Sequence, residues 1–545
     1  MKKIFFFLII FFFHHAIAQI PSEYRVTFKN KNNTPYSLTS PTDYLSQKAI
    51  DRRTRQEIPI DSTDIPITPA YFDSICQAGA ELMTRSKWLN SVVVYTKDSN
   101  VVNKIKTFPF VKNIELVGYS FTVSSNKKPI PKTNDVYNNT RSITTSSNYG
   151  PSYNQINMLG GDILHDENLR GQNMTIAILD AGFTGENILS AFDSINFNHQ
   201  ILGEWNFVEN TTNVYQRSTH GTSVLSIMGA NKPGSIIGTA PLANYYLIVT
   251  EDVLSEYVIE EDFWVAGAEY ADSVGSDIIN SSLGYFHFDN SLQNHTYNDL
   301  DGKTTVAAKG ANYAFDKGMI VVVAAGNSGP GYIGTPADAN KALTIGAVNA
   351  NRNYALLSSR GPNSAGVLKP NVASQGIDTY IANQSDTVSK GNGTSFSSPL
   401  ISGMTACLWQ AFYNLKNSQI VDAIQKSASQ YDNPDTLLGY GIPNFPKAKI
   451  ILMGIKAESN NNINIPYPNP FKTELNFIFY SDNTQTAKVD IINLTGRIIY
   501  SKNYNFKSNG YYKIDIPNTE ILPVGIYYLR ITTSQNVYVN KVLKY

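Results

Sequence analysis

Met174-Thr175-Ile176-Ala177-Ile178-Leu179-Asp180-Ala181-Gly182 reads as a strand buried on both faces that runs out into a carboxylate and a turn. Four more runs share this near-continuous apolar character: Tyr245 to Val249, Asp277 to Ile279, Met319 to Val323 and Leu343 to Val348. Helical patterns, Ile259 to Ser273 and Thr304 to Lys317 among them, fall between. Strands hidden on both faces and separated by helices predict an α/β domain with a mostly parallel sheet covered by helices. Ligands of such sheets bind beyond the carboxyl ends of the strands. Asp180, Ser281-Ser282-Leu283-Gly284 and Ala324-Ala325-Gly326-Asn327-Ser328-Gly329 all fall there.

Two further segments supply reactive groups: His220-Gly221-Thr222-Ser223 and Gly393-Thr394-Ser395-Phe396-Ser397-Ser398-Pro399. A hydroxyl is a poor nucleophile near neutral pH, so it needs a base within hydrogen-bond reach and an acid to orient that base. Each segment alone reads equally well as a turn, a cap or a loop; Asp, His and Ser in this order, with Asn327 between the last two, read as one site. An amide side chain after a buried strand stabilises a developing oxyanion, an effect worth about two to three orders of magnitude in rate. Pro399 suits a first helical turn, and Leu400, Met404, Cys407, Leu408 and Ala411 continue an apolar helical face. Ser395 is therefore expected at a helix N-terminus, where its amide gives a second oxyanion donor.

Histidine positions test this independently. Seven are present and the last is His295, so none follows Ser395 and the Ser, Asp, His order of α/β-hydrolases is excluded. Ser397 also stands where a G-x-S-x-G elbow needs glycine. His14 and His15 lie in the leader, and His165, His199, His287 and His295 have polar surroundings. Only His220 opens an apolar stretch of helical period, with Val224, Leu225, Ile227 and Met228.

From about Gln172 to Lys447 these motifs resemble the subtilisin-like serine peptidases (subtilases, family S8). The resemblance implies a serine endopeptidase with Ser395 as nucleophile, His220 as general base and acid, Asp180 as its orienter, and Asn327 with the Ser395 amide as the oxyanion hole. It implies a substrate edge at Ser282, Leu283 and Gly284 that pairs with an extended peptide, and Leu254-Ser255-Glu256 as the opposite edge. Ala324, Ala325, Gly326 and Gly334 are expected to wall the pocket for the residue before the scissile bond; small walls predict a large apolar residue there, unless they serve only strand and turn packing. The chemistry needs no cofactor. Many subtilases carry structural calcium, for which the sequence assigns no ligands. The chain departs from the family at Ala181, where Ser or Thr is usual, at Asn371 and Gln375, where Asp and Pro are common, and by a polar insertion from Tyr285 to Gly302. The competing reading is a catalytically silent secreted scaffold or adhesin that keeps the fold.

Composition sets the outer frame. At 545 residues and 42% hydrophobic content the chain is long enough for several domains. Its 44 acids balance 44 bases, and without a long basic run nothing points to nucleic acid; the expected partners are protein or peptide substrates. Residues 1–18, with Lys2-Lys3, the apolar run Ile4 to Phe13 and Ala16-Ile17-Ala18, form a signal peptide, with no transmembrane anchor expected in the mature chain. Cys76 and Cys407 are too few and too far apart to imply a disulfide framework. Residues 20–118 mix strand-like runs (Tyr24 to Lys29, Ser91 to Thr96, Val111 to Val117) with helix-like ones (Asp43 to Arg53, Pro69 to Ala78, Asn100 to Lys106), a small α+β module. Its position resembles an inhibitor I9-type prodomain, which assists folding and blocks the cleft; a plain accessory domain is the alternative. A linker over 119–150 and the peptidase domain over 151–455 follow. Residues 463–545 alternate short β patterns, as in a small β-sandwich. Tyr467-Pro468-Asn469-Pro470-Phe471, Asp490 to Arg497, Gly525 to Leu529 and the terminal Lys541-Val542-Leu543-Lys544-Tyr545 resemble the sorting domain of Bacteroidota type IX secretion substrates. That implies export through the periplasm and outer membrane by the type IX machinery; an adhesive or carbohydrate-binding sandwich competes.

Overall fold

The computed structural model describes residues 22–119, 148–453, 464–467, 469–481, 483–507 and 510–545, so the leader and most of the linker lie outside the described residues. The central sheet has seven strands, in the spatial order Val372–Gln375, Leu343–Val348, Ile320–Ala324, Ile278–Ser281, Thr175–Asp180, Asn244–Val249 and Ile201–Asn206. Every neighbouring pair is parallel. Side chains alternate across a strand, and both faces are covered. Ile176, Ile178, Val322 and Ile345 pack with Leu225, Met228, Leu400 and Met404 of helices His220–Gly229 and Thr394–Ala411. Ala177, Leu179, Val321 and Val323 pack with Trp264, Ala268, Ala307 and Ala311 of helices Ile259–Val274 and Val306–Asp316. This double cover is why the strands read as unbroken apolar runs.

Two strands of the sheet escape the hydrophobic pattern. Ile201–Asn206 is an edge strand whose residues are mostly half-exposed, and Val372–Gln375 is only four residues long. From Thr175–Asp180 the chain runs to the Ile201–Asn206 edge, returns, and then crosses to the other side at Ile278–Ser281. The strand ending in Asp180 therefore stands where the order reverses, the place where open α/β sheets form a crevice.

The N-terminal module is a four-stranded antiparallel sheet in the order Glu81–Ser86, Ser91–Thr96, Ser22–Phe28, Val111–Tyr119. Its first long helix begins at Gln47 rather than Asp43, because a short 3-10 turn over Pro41–Asp43 precedes it. One face of the sheet, with Val26, Phe28, Val92 and Val94, packs on its own helices through Ile75 and Ile105. The other face, with Val93 and Val117, packs on Tyr257, Ile259 and Phe263 of the central domain. Charges fasten this contact. Arg25 grips Asp262 through two bonds of 2.7 and 2.6 Å, and the buried Asp272 receives Arg52 and, at 2.7 and 2.9 Å, Arg53. Glu269 accepts from Ser86 Oγ and from the amides of Lys87 and Trp88.

The C-terminal module is a sandwich of two antiparallel sheets, three strands (Asn464–Tyr467, Leu475–Ser481, Gly510–Ile516) on four (Ile498–Phe506, Gln485–Asn493, Gly525–Thr532, Val537–Lys544). Phe471, Phe477, Phe479, Val489, Ile491, Leu529 and Ile531 form its core. Among the described residues no helix is long and apolar enough to cross a membrane.

Candidate active site

Asp180 is the last residue of its strand and is fully buried, while His220 opens a helix beside it. Their side chains meet: His220 Nδ1 lies 2.7 Å from Asp180 Oδ1, which also accepts from the Ala181 amide at 2.8 Å. With a carboxylate as acceptor, Nδ1 carries the proton and Nε2 keeps its lone pair. Burial acts to lower the imidazole pKa, but the charge and hydrogen bond of Asp180, with the charge of Glu251, outweigh it and leave the pKa above its ordinary value. Asp180 Oδ2 is buried without a hydrogen-bond partner. This is the physical counterpart of Ala181, which brings no hydroxyl to the carboxylate.

Ser395 is the second residue of helix Thr394–Ala411 and is almost fully buried. Pro399 lies inside that helix, a turn later than its residue type suggests. Proline has no N–H, so the carbonyl of Ser395, four residues earlier, loses its helical donor. Ser282 Oγ supplies the bond instead, at 2.9 Å. In return Ser395 Oγ donates a long 3.4 Å bond to the Ser282 carbonyl. In this resting geometry the Ser395 hydroxyl is thus turned to the Ser282 main chain rather than to His220, although both side chains line the same cavity. Catalytic hydrogen bonds commonly close only when substrate is bound.

Asn327 follows strand Ile320–Ala324 after a turn through Gly326, whose φ of +104° is in the glycine region. Its Oδ1 accepts from the Thr394 amide at 2.8 Å and from Thr394 Oγ1 at 3.1 Å. That fixes which end of the amide is which and leaves Nδ2 as a donor. A Cβ at Gly393 would lie 3.3 Å from Nδ2, so glycine there keeps the donor clear. Thr394 Oγ1 also accepts from the Gly326 amide at 3.0 Å, tying the two loops together. Thr394 was part of the motif, but its two-sided role follows from contacts between distant segments, which the sequence does not display.

A cleft of about 460 Å³ joins these groups. Its lining brings together His220, Ser395 and Asn327 with Ser282, Leu283, Gly284, Ala324, Ala325, Gly326 and Gly334. The lining also includes Glu251 and Val253, which immediately precede the Leu254-Ser255-Glu256 segment expected from the resemblance as the opposite edge. The main chain of Glu256 accepts from the Asp289 amide of the insertion at 2.8 Å and donates to the Asp289 carboxylate at 3.0 Å. The start of that insertion does enter the cleft, through Tyr285, Phe286 and His287. Among the remaining histidines, His165 is a buried structural group bonded to Tyr149 and the Thr239 carbonyl, and His295 pairs with Glu261. Cys407 is buried and Cys76 exposed, both as free thiols.

Comparison with known proteins bears on all three modules. Residues 171–441 match the Subtilase family, residues 23–134 the Peptidase S8 propeptide domain of Bacteroidota, and residues 466–545 the Secretion system C-terminal sorting domain. The chain is 26% identical to Subtilisin E of Bacillus subtilis (strain 168) over 370 residues, 66% of this chain and 81% of the relative. It is 28% identical to Subtilisin of Bacillus pumilus over 300 residues, 54% of this chain and 97% of the relative. To Subtilisin Savinase of Lederbergia lenta it is 26% identical over 281 residues, 51% of this chain and 92% of the relative.

Proposed function

Because the chain belongs to the subtilase family, a serine-type peptidase with a propeptide ahead of it and a secretion sorting domain behind, we propose that it is an exported endopeptidase working through Asp180, His220 and Ser395. The observation that carries this reading is the 2.7 Å bond from His220 Nδ1 to buried Asp180, with Nε2 left as a base in the cavity that Ser395 lines. Substrate entering the cleft pairs with the Ser282-Leu283-Gly284 edge. The Ser395 hydroxyl turns from the Ser282 carbonyl to Nε2, gives up its proton and attacks the scissile carbonyl. Charge on the carbonyl oxygen is met by Asn327 Nδ2 and the Ser395 amide, donors held in place beforehand by Thr394 and the helix terminus. His220 then protonates the leaving amine, and water resolves the acyl-enzyme by the same path.

The wall of Ala324, Ala325, Gly326 and Gly334 supports a pocket for a large apolar residue before the scissile bond; a peptide library cut mainly after Lys, Arg or Asp would overturn that preference. The acid pairs that hold the N-terminal module support its role as inhibitor and partner of the peptidase. The C-terminal sandwich supports export through the periplasm and outer membrane by type IX machinery, so deletion of 466–545 is expected to trap the protein in the periplasm. Normal release of the truncated chain argues for an adhesive role instead. The decisive test of chemistry is labelling by a fluorophosphonate probe. Wild type is expected to label and Ser395→Ala to remain unlabelled; equal labelling, or none in either, refutes the nucleophile and favours a silent scaffold.

A further inference from the structure

The apolar character of strand Ile278–Ser281, the middle strand of the seven, is broken at Asn280. Side chains alternate along a strand, so Ile278, Asn280 and Ser282 share the face that helix Thr394–Ala411 covers. Asn280 has no exposed surface, and neither have Ser398 and Ser402 of that helix. A buried amide costs stability unless its polar groups are paired. Here they are paired in one direction. Ser398 Oγ and Ser402 Oγ donate to Asn280 Oδ1 at 2.9 and 2.8 Å, and Asn280 Nδ2 donates to Ser282 Oγ at 3.3 Å. Ser282 Oγ in turn donates to the Ser395 carbonyl at 2.9 Å.

These bonds form a directed chain from the middle of the sheet to the first turn of the helix. A serine hydroxyl has one proton and rotates to suit its surroundings. The Asn280 donor occupies a lone pair of Ser282 Oγ and leaves its proton for the Ser395 carbonyl, while the two hydroxyls on Oδ1 polarise the amide in the same sense. That carbonyl is the one deprived of its helical donor by Pro399. Asn280 lies behind the cleft that Ser282 and Ser395 line. A second tie holds the same helix from its other side: Ser374 Oγ, on strand Val372–Gln375, donates to the Ser397 carbonyl at 2.8 Å, and Ser397 Oγ to the Ser374 carbonyl at 3.2 Å. This tie ends on a residue with no part in the chemistry, which makes it the natural control.

We propose that Asn280 is a positioning residue for the nucleophile, acting through the Ser282 hydroxyl on the peptide group of Ser395. The inference rests on Ser395 being the nucleophile. The Ser395 amide serves the oxyanion only from about 3 Å, and a misplacement of about 1 Å costs about a hundredfold in rate. Without the Asn280 donor the Ser282 hydroxyl is free to turn away and the first helical turn loses its tie. Chemistry then slows, while an extended substrate still pairs with the Ser282-Leu283-Gly284 main chain.

The test compares wild type, Asn280→Ala, Asn280→Asp and Ser374→Ala, each made as the full chain and matured, with circular dichroism as the check of folding. Asn280→Asp keeps the shape but replaces the donor by an acceptor, which draws the Ser282 proton away from Ser395. The end point of fluorophosphonate labelling counts active sites, and its rate reports the nucleophile independently of peptide binding. Both Asn280 variants are expected to lower kcat per active site and the labelling rate about ten- to a hundredfold with KM within about twofold of wild type. The acid-limb midpoint of Asn280→Ala is expected to stay in place, because the His220–Asp180 pair is untouched. Ser374→Ala is expected to lower the melting temperature and keep both rates. Asn280→Ala added to Ser282→Ala is expected to cost nothing further, since one acts through the other. Should the Asn280 variants fail to fold, Asn280→Leu with Ser398→Ala and Ser402→Ala removes the amide together with its donors and is expected to show the same loss of rate. Wild-type rates in folded Asn280 variants, an equal fall in Ser374→Ala, or additive losses with Ser282→Ala overturn the positioning role. A wild type that does not label refutes the nucleophile itself, and this inference with it.

Discussion

Raising the pH from 5 to 8 is expected to loosen the propeptide from the peptidase through Glu23. This residue lies on the central strand of the propeptide sheet, on the face that docks, and is only 7% exposed. Space for its carboxylate depends on Gly118 of the neighbouring strand, where a Cβ would come within 2.1 Å of a carboxylate oxygen. Burial first, and then the charge of Asp252 across the interface, raise its pKa from 4.5 to about 7. In the separated propeptide this face is wet, and the carboxyl returns towards its ordinary value. The docked form therefore holds the proton more tightly than the free form. Its contribution to binding is full below pH 4.5, is lost progressively between 4.5 and about 7, and is gone above that. At about 1.4 kcal/mol for each tenfold change in proton affinity, the whole effect is about 3 kcal/mol, or roughly two orders of magnitude in Kd. Asp272, held down to about 2 chiefly by Arg53 against its burial, titrates far below this window and does not interfere. The assay is fluorescence anisotropy of labelled propeptide on the mature peptidase carrying Ser395→Ala, with Glu23→Gln as control. Wild type is expected to weaken about a hundredfold across the range and Glu23→Gln to lose most of that slope. A wild-type Kd that does not change with pH, or the same slope in Glu23→Gln, refutes the reasoning.

Other consequences are as direct. Because Asp180 and Glu251 raise the His220 pKa, the acid limb of kcat/KM is expected at a midpoint above 6.5, higher than an unperturbed imidazole gives, and Glu251→Gln is expected to move it down; a pH–rate profile of both enzymes checks this. Ser282→Ala removes the donor that replaces the helical bond lost at Pro399, leaving the Ser395 carbonyl unpaired at a cost of about 1–3 kcal/mol, so kcat is expected to fall while Ser282→Thr retains most of it. Asn327→Ala is expected to lower kcat by about 10²–10³ with little change in KM, measured on the same peptide substrate. Asp272→Asn strips two buried arginines of their shared carboxylate, which costs about 3–5 kcal/mol; loss of propeptide affinity in the anisotropy assay measures it.

The parallel sheet was legible because five of its strands are buried on both faces and carry their apolar residues without interruption. Boundaries shifted by about one residue, which places Asp180 within its strand rather than after it. Ile201–Asn206, half-exposed at the edge, and Glu81–Ser86, with only Thr84 and Ser86 buried, leave no such signature. The reacting groups were readable from residue type and order. Their partners were not: Thr394 on Asn327 and Ser282 on the Ser395 carbonyl are contacts across 67 and 113 positions of chain, and no local pattern records them. The bond between the Glu256 amide and Asp289 of the insertion is likewise a contact between distant segments that no local pattern displays.

The fastening of the propeptide has an afterlife in the mature enzyme. Helix Ile259–Val274 carries Glu260, Glu261, Asp262, Glu269 and Asp272 and no base, and the cations that neutralise Asp262 and Asp272 belong to the segment that departs. Maturation thus uncovers an anionic stripe along one flank. The ripened catalyst is expected to be retained longer than its precursor on a positively charged chromatography resin.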